Sequence, residues 1–269
     1  MSDYFKDKVV VVTGGTEGIG KALVEELLQL GAKVATCGRD HDKLYRLQST
    51  HPSSPLHTMV ADVSSENDCR RFIETTIKFF GGVDILINNA GISMRALLKD
   101  ASTEVIRKVM EINFFGAVYC TSYALSSIIE RKGTIVGVSS IAGYRGLPGR
   151  SGYSASKYAM QGWLEAIKTE LLHDGVHVMW VCPGFTTSNI RNAALNKNGD
   201  KQGESPMDES SMMTAEECAE HILNAVRKKK RTLVLTFTGK RTVFLNKFFP
   251  KLTDRLTYKF FFKNGELIK

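Results

Sequence analysis

The sequence lacks the features that mark metal sites, disulfide frameworks and membrane spans. Its five cysteines, at positions 37, 69, 120, 182 and 218, form no C-x-x-C pair and no zinc spacing, and its six histidines do not cluster. We therefore expect buried free thiols, a reducing compartment and no catalytic metal. No run of eighteen apolar residues occurs, so no transmembrane span is expected. The first predicted strand begins at residue 8, and we expect no signal peptide or anchor before it.

Positive charge is concentrated at one end of the chain. The formal net charge is +8, but the segment 227–269 alone carries thirteen Lys/Arg and two Asp/Glu, a net of +11. The other residues carry 23 basic and 26 acidic groups. A patch of this kind can bind nucleic acid, but no nucleic-acid-binding motif accompanies it, so we predict no nucleic-acid partner.

A length of 269 residues and a hydrophobic content of 43% suit one α/β unit with a tail. Apolar β-branched runs alternate with helical patterns along most of the sequence. This alternation predicts a single Rossmann-like, doubly wound parallel sheet with helices on both faces. The predicted strands are 8–13, 33–37, 56–60, 84–87, 134–138, 176–181 and 232–236. The predicted helices are 18–30, 65–79, 103–130 (broken or bent), 152–173 and 215–229. We assign residues 1–238 to this domain and 239–269 to a basic, aromatic C-terminal extension.

A glycine-rich turn lies between the first strand and the first long helical pattern. It reads Gly14-Gly15-Thr16-Glu17-Gly18-Ile19-Gly20, with the spacing G-x-x-x-G-x-G. Glycine lets the backbone approach a pyrophosphate, and a helix N-terminus supplies free N–H groups and partial positive charge. A tight structural turn is the alternative for a glycine loop alone, but the flanking strand and helix favour a dinucleotide site.

Tyr153 and Lys157 lie four residues apart in a helical pattern, so they project from one face. An ammonium beside a phenol favours the phenolate, so we expect the pKa of Tyr153 to fall from about 10 toward neutral pH. Such a tyrosine can exchange a proton with an alcohol or ketone oxygen. Ser140, thirteen residues upstream, can hold the same oxygen.

Taken together, these motifs resemble the short-chain dehydrogenase/reductase family from about residue 6 to residue 236. The matching segments, in the family's order and near its usual spacing, are Thr13-Gly14-x-x-x-Gly18-Ile19-Gly20, Asp62-Val63, Asn88-Asn89-Ala90-Gly91, Asn113, Ser140, Tyr153-x-x-x-Lys157 and Pro183-Gly184.

The resemblance implies four catalytic residues. Tyr153 would be the acid/base, and Lys157 would lower its pKa and bind the nicotinamide ribose. Ser140, favoured over Ser139 by the thirteen-residue interval, would orient the substrate carbonyl. Asn113 would hold a water behind the lysine, with a polar kink in a helix as the alternative interpretation.

The resemblance also implies a nicotinamide dinucleotide and the residues that contact it. Asp62 and the backbone of Val63 would meet the adenine, and Ser188 replaces a threonine that binds the nicotinamide amide in the family. The implied cofactor-binding residues are Gly14, Thr16, Gly18, Ile19, Gly20, Arg39, Asp62, Val63, Asn89, Ala90, Gly91, Tyr153, Lys157, Pro183, Gly184, Thr186 and Ser188.

The end of the second strand distinguishes NAD from NADP. An NAD enzyme usually places an acidic residue there to hold the ribose hydroxyls. Here the position falls at Cys37 or Gly38, and Arg39 follows, which can bind a 2′-phosphate. We therefore predict NADP(H), although Glu17 stands in the glycine loop where many NADP-binding relatives carry a basic residue. A solvated loop arginine beside the helix cap Asp40 is the alternative.

On the substrate side, the resemblance places a mobile lid over about 192–211, with few apolar anchors in its sequence. Met94, Arg145, Leu147 and Phe185 are candidate pocket walls by location, with plain packing as the alternative for each. The extension interleaves basic and aromatic residues. It is either an interfacial membrane helix pair or an arm that packs on a partner subunit or over the active site.

These patterns predict an NADP(H)-dependent oxidoreductase that acts on the carbonyl or hydroxyl of a small, apolar, lipid- or steroid-like substrate. A 3-ketosphinganine- or β-ketoacyl-type reductase is a narrower alternative, and a non-catalytic nucleotide-binding or membrane-docking protein is the competing class. By analogy with the family, we expect a homodimer or homotetramer. We expect a cytoplasmic location, with peripheral membrane contact through the tail as the open question.

Overall fold

A computed structural model describes the chain at residues 2–205 and 212–268. Seven parallel strands form one sheet in the order β3-β2-β1-β4-β5-β6-β7. The strands are β1 Val9–Thr13, β2 Lys33–Gly38, β3 Leu56–Val60, β4 Ile85–Asn88, β5 Thr134–Val138, β6 His177–Cys182 and β7 Thr232–Val234. The helices that precede, separate and follow them are α1 Ser2–Phe5, α2 Gly18–Gln29, α3 His41–Ser49, α4 Glu66–Phe80, α5 Thr103–Met110, α6 Gly116–Glu130, α7 Ser151–Glu170, α8 Ala215–Arg227, α9 Phe237–Phe248 and α10 Pro250–Phe261.

The sheet separates two hydrophobic cores, because successive side chains of a strand point to opposite faces. Val10 and Val12 of β1 pack with α2 and α8, whereas Val11 packs with α4, α6 and α7. All five residues of β1 are buried, as expected for a central parallel strand covered on both sides. The predicted doubly wound parallel sheet with helices on both faces is confirmed.

The predicted boundaries agree with the structure to within a few residues. The break predicted within 103–130 is a π-helical turn, Glu111–Phe115, that joins α5 to α6. Asp40 caps α3 as expected, accepting a hydrogen bond from the Lys43 N–H at 3.1 Å. Ser65 caps α4, because its hydroxyl accepts a hydrogen bond from the Asp68 N–H, whereas the Ser64 hydroxyl donates to Asp62.

The helical stretch Thr103–Glu130 is long and apolar enough, by length and composition alone, to cross a membrane. Our expectation from the sequence was that no such span exists. In the fold this stretch supplies Ile112, Ala117, Cys120 and Ile128 to the core beneath the sheet. Its apolar character is therefore accounted for by packing within the domain. All five cysteines are also buried.

The C-terminal segment folds back onto the edge of the sheet where the strands end. After α10 it closes with a short hairpin of two strands, β8 Phe262–Lys263 and β9 Glu266–Leu267. Asn246 donates to the Tyr144 carbonyl at 2.8 Å, and Asp254 pairs with Arg145 at 2.8 Å. Phe261 is buried. These contacts place both tail helices beside the loop that precedes α7.

Candidate active site

A cavity of about 360 Å³ opens at the carboxyl edge of the sheet, where strand order reverses between β1 and β4. This is the position at which open α/β sheets bind ligands. Each residue predicted to bind the cofactor lines this cavity, and so do Ser140, Leu147 and Phe185.

The glycine loop has the backbone form that a pyrophosphate needs. Gly14 and Gly18 have φ values of 69° and 51°, which favour glycine. A Cβ on Gly20 would lie 2.2 Å from the Gly14 carbonyl oxygen, so no side chain fits there. Helix α2 begins at Gly18, and the Glu17 side chain does not cap it. Its first N–H groups therefore face the cavity, and the loop fits a dinucleotide phosphate.

Neighbouring polar side chains hold this loop in place. The Asn89 amide donates to the carbonyls of Thr13 and Gly14 at 2.9 and 3.2 Å. Thr36 accepts from the Gly15 N–H at 3.0 Å and donates to Val12. The sequence did not single out Thr36, because a threonine inside a buried strand looks like ordinary packing.

At the far end of the cavity, Arg39 lies 3.8 Å from Asp62 and remains largely exposed. The Glu17 carboxylate pairs with Lys43, which offsets its negative charge beside the loop. Cys37 is buried, and burial raises the pKa of its thiol to about 12. A Cβ on Gly38 would already lie 3.0 Å from the Thr16 methyl group. An acidic side chain at Gly38 would therefore have to displace Thr16.

Tyr153, Lys157 and Ser140 meet at the inner end of the cavity. The Lys157 Nζ is buried, donates to the Val138 carbonyl at 2.8 Å and lies 5.7 Å from the centre of the Tyr153 ring. Ser140 is hydrogen-bonded to the Tyr153 phenol, a contact that by itself favours the phenolate. The Ser139 hydroxyl is occupied inside the protein, accepting from Gln161 at 2.8 Å. This geometry supports the choice of Ser140 over Ser139.

The electrostatics differ from the sequence prediction. The pKa of Tyr153 is raised rather than lowered, because burial outweighs the favourable effects of Ser140, Arg150 and Arg191. Burial also lowers the pKa of Lys157 to about 8. Desolvation therefore dominates both groups in the protein alone. The phenol is the stable form of Tyr153 at neutral pH.

Asn113 lies in the π-helical turn, and its side chain is fully buried. Its Oδ1 accepts from the Ile92 N–H at 2.8 Å, and its Nδ2 donates to the Ile92 carbonyl and to Ser156, both at 2.9 Å. Both amide hydrogens are thus used within the protein. The side chain connects the π-helical turn between α5 and α6 to the segment after β4. Any contact between Asn113 and a water near Lys157 would therefore involve the Asn113 backbone or the remaining lone pair of its Oδ1. π-turns of this kind are frequent at functional sites.

The substrate side corrects part of the prediction. Met94 is buried in a separate small core and Arg145 contacts the tail, so neither lines the cavity. Leu195, within the predicted lid, packs against Met94 and exchanges backbone hydrogen bonds with Ser93 and Arg95. The described part of the lid, for which the sequence predicted few apolar anchors, therefore has one in Leu195. Residues 206–211 of the lid lie outside the described residues.

The cavity-lining residues that were missed on this side include Arg150, Arg191 and Phe261. Arg150 stands one helical turn before Tyr153, so spacing could have identified it. The Arg150 guanidinium lies 5.3 Å from the centre of the Phe261 ring. Nothing local in the sequence connects Phe261 to Tyr153, since 108 residues separate them.

These features define the class of nicotinamide-dinucleotide oxidoreductases. They are a Rossmann-type sheet, a phosphate-binding glycine loop and a Tyr-Lys pair at the inner end of one cavity. The sequence model of the short chain dehydrogenases matches residues 8–199. This chain belongs to the short-chain dehydrogenase/reductase family.

Its relatives match along nearly the whole chain. Dehydrogenase/reductase SDR family member 7B of Rattus norvegicus is 36% identical over 94% of this chain and 81% of the relative. Dehydrogenase/reductase SDR family protein 7-like of Dictyostelium discoideum is 32% identical over 95% of this chain and 82% of the relative. The crystal structure of a short chain dehydrogenase/reductase SDR from Burkholderia phymatum in complex with NAD covers 92% of this chain and 95% of its own, with a TM-score of 0.83. At 23% identity, that likeness concerns the fold.

Proposed function

We propose that this protein is an NADP(H)-dependent reductase of apolar ketones, or a dehydrogenase of the corresponding alcohols. The observation that carries the proposal is the meeting of Tyr153, Ser140 and Lys157 at the inner end of a cavity whose outer end is built by the glycine loop.

The bound nicotinamide supplies or accepts the hydride. Tyr153 donates its phenol proton to the substrate oxygen during reduction, and Ser140 holds that oxygen through a hydrogen bond. The buried Lys157 ammonium lies near enough to stabilise the phenolate that remains. Asn113 fixes the segment after β4 on which this arrangement rests. Because burial raises the pKa of Tyr153, the phenol is protonated at neutral pH and holds the proton that reduction requires.

The preference for NADP(H) is supported at the end of β2. Arg39 lines the cavity, the Glu17 charge is offset by Lys43, and an acid at Gly38 would clash with Thr16. A guanidinium can bind the 2′-phosphate with charge-assisted hydrogen bonds. The Burkholderia phymatum protein was solved with NAD, so NAD(H) is the alternative to be tested.

The substrate class follows from the walls of the inner cavity. Leu147, Phe185, Ile190 and Phe261 supply apolar surface there. We propose a lipid- or steroid-like ketone. A 3-ketosphinganine- or β-ketoacyl-type substrate is the narrower alternative.

We further propose a homodimer or homotetramer, assembled through the helices α5–α6 and α7. Phe115 and Tyr158 on these helices are exposed large hydrophobic side chains, which suits such an interface. We treat 1–238 as the catalytic domain and 239–269 as its extension, and we propose a cytoplasmic location.

Thermal unfolding of the purified protein, with NADPH and NADH titrated in parallel, tests the cofactor. A ligand that binds only the folded state raises the unfolding midpoint, and at equal concentration the tighter-binding nucleotide gives the larger rise. We expect the larger rise with NADPH, followed by NADPH oxidation when apolar ketones are added. A larger rise with NADH would overturn the cofactor assignment. No rise with either nucleotide would favour the competing class of a protein that does not catalyse this reaction.

A further inference from the structure

The C-terminal segment 237–268 carries an unusual share of the exposed hydrophobic surface. Of the seventeen large hydrophobic side chains exposed in the described part of the chain, nine lie in this segment, about an eighth of the length. They are Phe237, Phe244, Phe248, Phe249, Leu252, Leu256, Tyr258, Phe260 and Ile268. Contiguous exposed apolar surface of this kind marks an interaction site.

The hydrophobic side chains of α9 form a stripe along one face. Phe237, Phe244 and Phe248 are separated by seven and four residues, which places them in line on a helix. Phe237 is 79% exposed, and the other two are each 56% exposed. The rings of Phe244 and Phe248 contact each other at 4.9 Å. The opposite face is anchored to the domain through Asn246.

Helix α10 repeats this arrangement. Leu252, Leu256 and Phe260 follow one another at intervals of four residues and are exposed, while Thr253 and Phe261 are buried against the domain. Both helices therefore have one anchored face and one exposed apolar face. Together we call the two exposed faces the tail stripe: Phe237, Phe244 and Phe248 on α9, and Leu252, Leu256 and Phe260 on α10.

Basic residues border the tail stripe. Lys240, Arg241, Lys247, Lys251, Arg255, Lys259 and Lys263 are all exposed, and none of them forms an ion pair with another described residue. The two acids of the segment are Asp254 and Glu266, and Asp254 is already paired with Arg145. A stripe of aromatic and aliphatic side chains bordered by cations is complementary to an anionic lipid surface. A protein partner or a second copy would need acidic side chains to match the same border.

The tail stripe also reaches the wall of the active-site cavity. The ring of Phe260 stacks on that of Phe185 at 6.3 Å, and Phe185 lines the cavity. The next residue, Phe261, lines it as well. A surface that the tail stripe contacts therefore lies beside the part of the cavity lined by Phe185 and Phe261.

We propose that the tail stripe docks the protein on an anionic membrane surface, with the side of the cavity lined by Phe185 and Phe261 facing the lipid. Docking in this way requires no catalysis and is therefore independent of the proposed reaction. An apolar substrate dissolved in the bilayer would then reach the cavity without crossing water.

Sedimentation of the purified full-length protein with vesicles tests the docking, without cofactor or substrate. The vesicles contain phosphatidylcholine alone or with about one third phosphatidylserine. We expect binding to the anionic vesicles, weak binding to neutral ones, and a decrease with added salt. Absence of binding to the anionic vesicles at low salt would overturn the proposal.

Variants of the tail stripe identify the surface responsible. Phe244→Ser combined with Phe248→Ser should weaken vesicle binding by roughly tenfold or more, because both rings leave the interface. Leu172→Ser removes an exposed hydrophobic side chain outside the tail and should change nothing. A thermal unfolding midpoint close to that of wild type, measured without nucleotide, confirms that each variant is folded. Equal binding by wild type and the double variant would contradict the proposal. The proposal would also be contradicted if wild type formed an oligomer, measured by light scattering, that the double variant lost, while wild type bound no vesicles. A second copy of the chain would then be the occupant of the tail stripe.

A matched set of charge variants separates the effect of the tail on vesicle binding from the effect of net charge. Each basic residue near an anionic surface contributes about fivefold to binding, so replacing Arg241, Arg255 and Lys259 by Gln should cost about a hundredfold. Replacing the three exposed lysines at 228–230 by Gln removes the same net charge at the opposite edge of the sheet. If both triple variants lost the same affinity, the tail would have no special role.

The orientation of the bound protein can be measured from the quenching of tryptophan fluorescence by lipids with brominated acyl chains. The fluorescence of the Phe248→Trp variant should be quenched when it binds vesicles, beyond any quenching of Trp163 and Trp180. The fluorescence of the Leu172→Trp variant should show no such additional quenching. Quenching confined to Leu172→Trp would place a different face on the membrane and overturn the proposal.

Discussion

Replacing Arg39 by glutamine should reduce affinity for NADPH while leaving affinity for NADH nearly unchanged. Arg39 lines the outer end of the cavity and lies 3.8 Å from Asp62, so its guanidinium is positioned but not tightly bound. Glutamine keeps similar length and polarity without the charge. The 2′-phosphate, which NADH lacks, is the group whose binding should weaken.

The magnitude follows from the exposure of the arginine. A hydrogen bond to a charged group contributes about 1.5–3 kcal/mol. The Arg39 side chain is 58% exposed, and water screens an exposed charge, so we expect a contribution near or below the lower end of that range, about 1–2 kcal/mol. This corresponds to a Kd for NADPH that rises about 5- to 30-fold.

Calorimetric titration of both nucleotides into wild type and Arg39→Gln measures this difference. Arg46→Gln is the matched control, because Arg46 is exposed on α3 but does not line the cavity. Equal losses for NADPH and NADH would refute the role of Arg39 as the phosphate ligand, and so would an unchanged Kd for NADPH.

Three further predictions concern the loop, the lysine and the tail. Gly20→Ala should abolish the thermal shift with NADPH, because its Cβ would overlap the Gly14 carbonyl. The control Gly162→Ala has open space at its Cβ and should stabilise the protein by about 0.5–1 kcal/mol. Lys157→Met should remove a pH dependence of stability: burial lowers the Lys157 pKa from 10.5 to about 8, so the unfolded chain holds the extra proton between these values. The free energy of unfolding of wild type, relative to Lys157→Met, should therefore rise by about 3 kcal/mol across that window, and a flat difference in denaturant titrations would contradict this. Asn246→Ala should cost about 1–2 kcal/mol in thermal unfolding by removing the hydrogen bonds to Tyr144 and Arg145, and an unchanged midpoint would mean that the tail is not anchored there.

Sequence alone predicted the sheet, because buried parallel strands are continuous apolar runs and glycine marks the phosphate loop. It also predicted which residues surround the cofactor cavity, since these follow the ends of successive strands. Protonation was harder to predict. The Tyr-Lys spacing suggested a lowered tyrosine pKa, but the pKa depends on burial by the whole fold.

Long-range neighbours were not predictable either. Arg145 seemed a pocket wall by location, yet it contacts Asp254 more than a hundred residues later. Phe261 lines the cavity only because the tail folds back over the loop before α7. Two interpretations of the tail were open from its sequence, and the structure shows one face packed beside the cavity and another face exposed.

The most direct test of the proposed reaction is the single-turnover rate of NADPH oxidation by Tyr153→Phe, with an apolar ketone that wild type reduces. Phenylalanine keeps the ring and removes the proton donor. We predict a loss of about a hundredfold or more in rate, with NADPH affinity within a factor of about two of wild type. A variant that keeps the wild-type rate would contradict the assignment of Tyr153 as the acid/base.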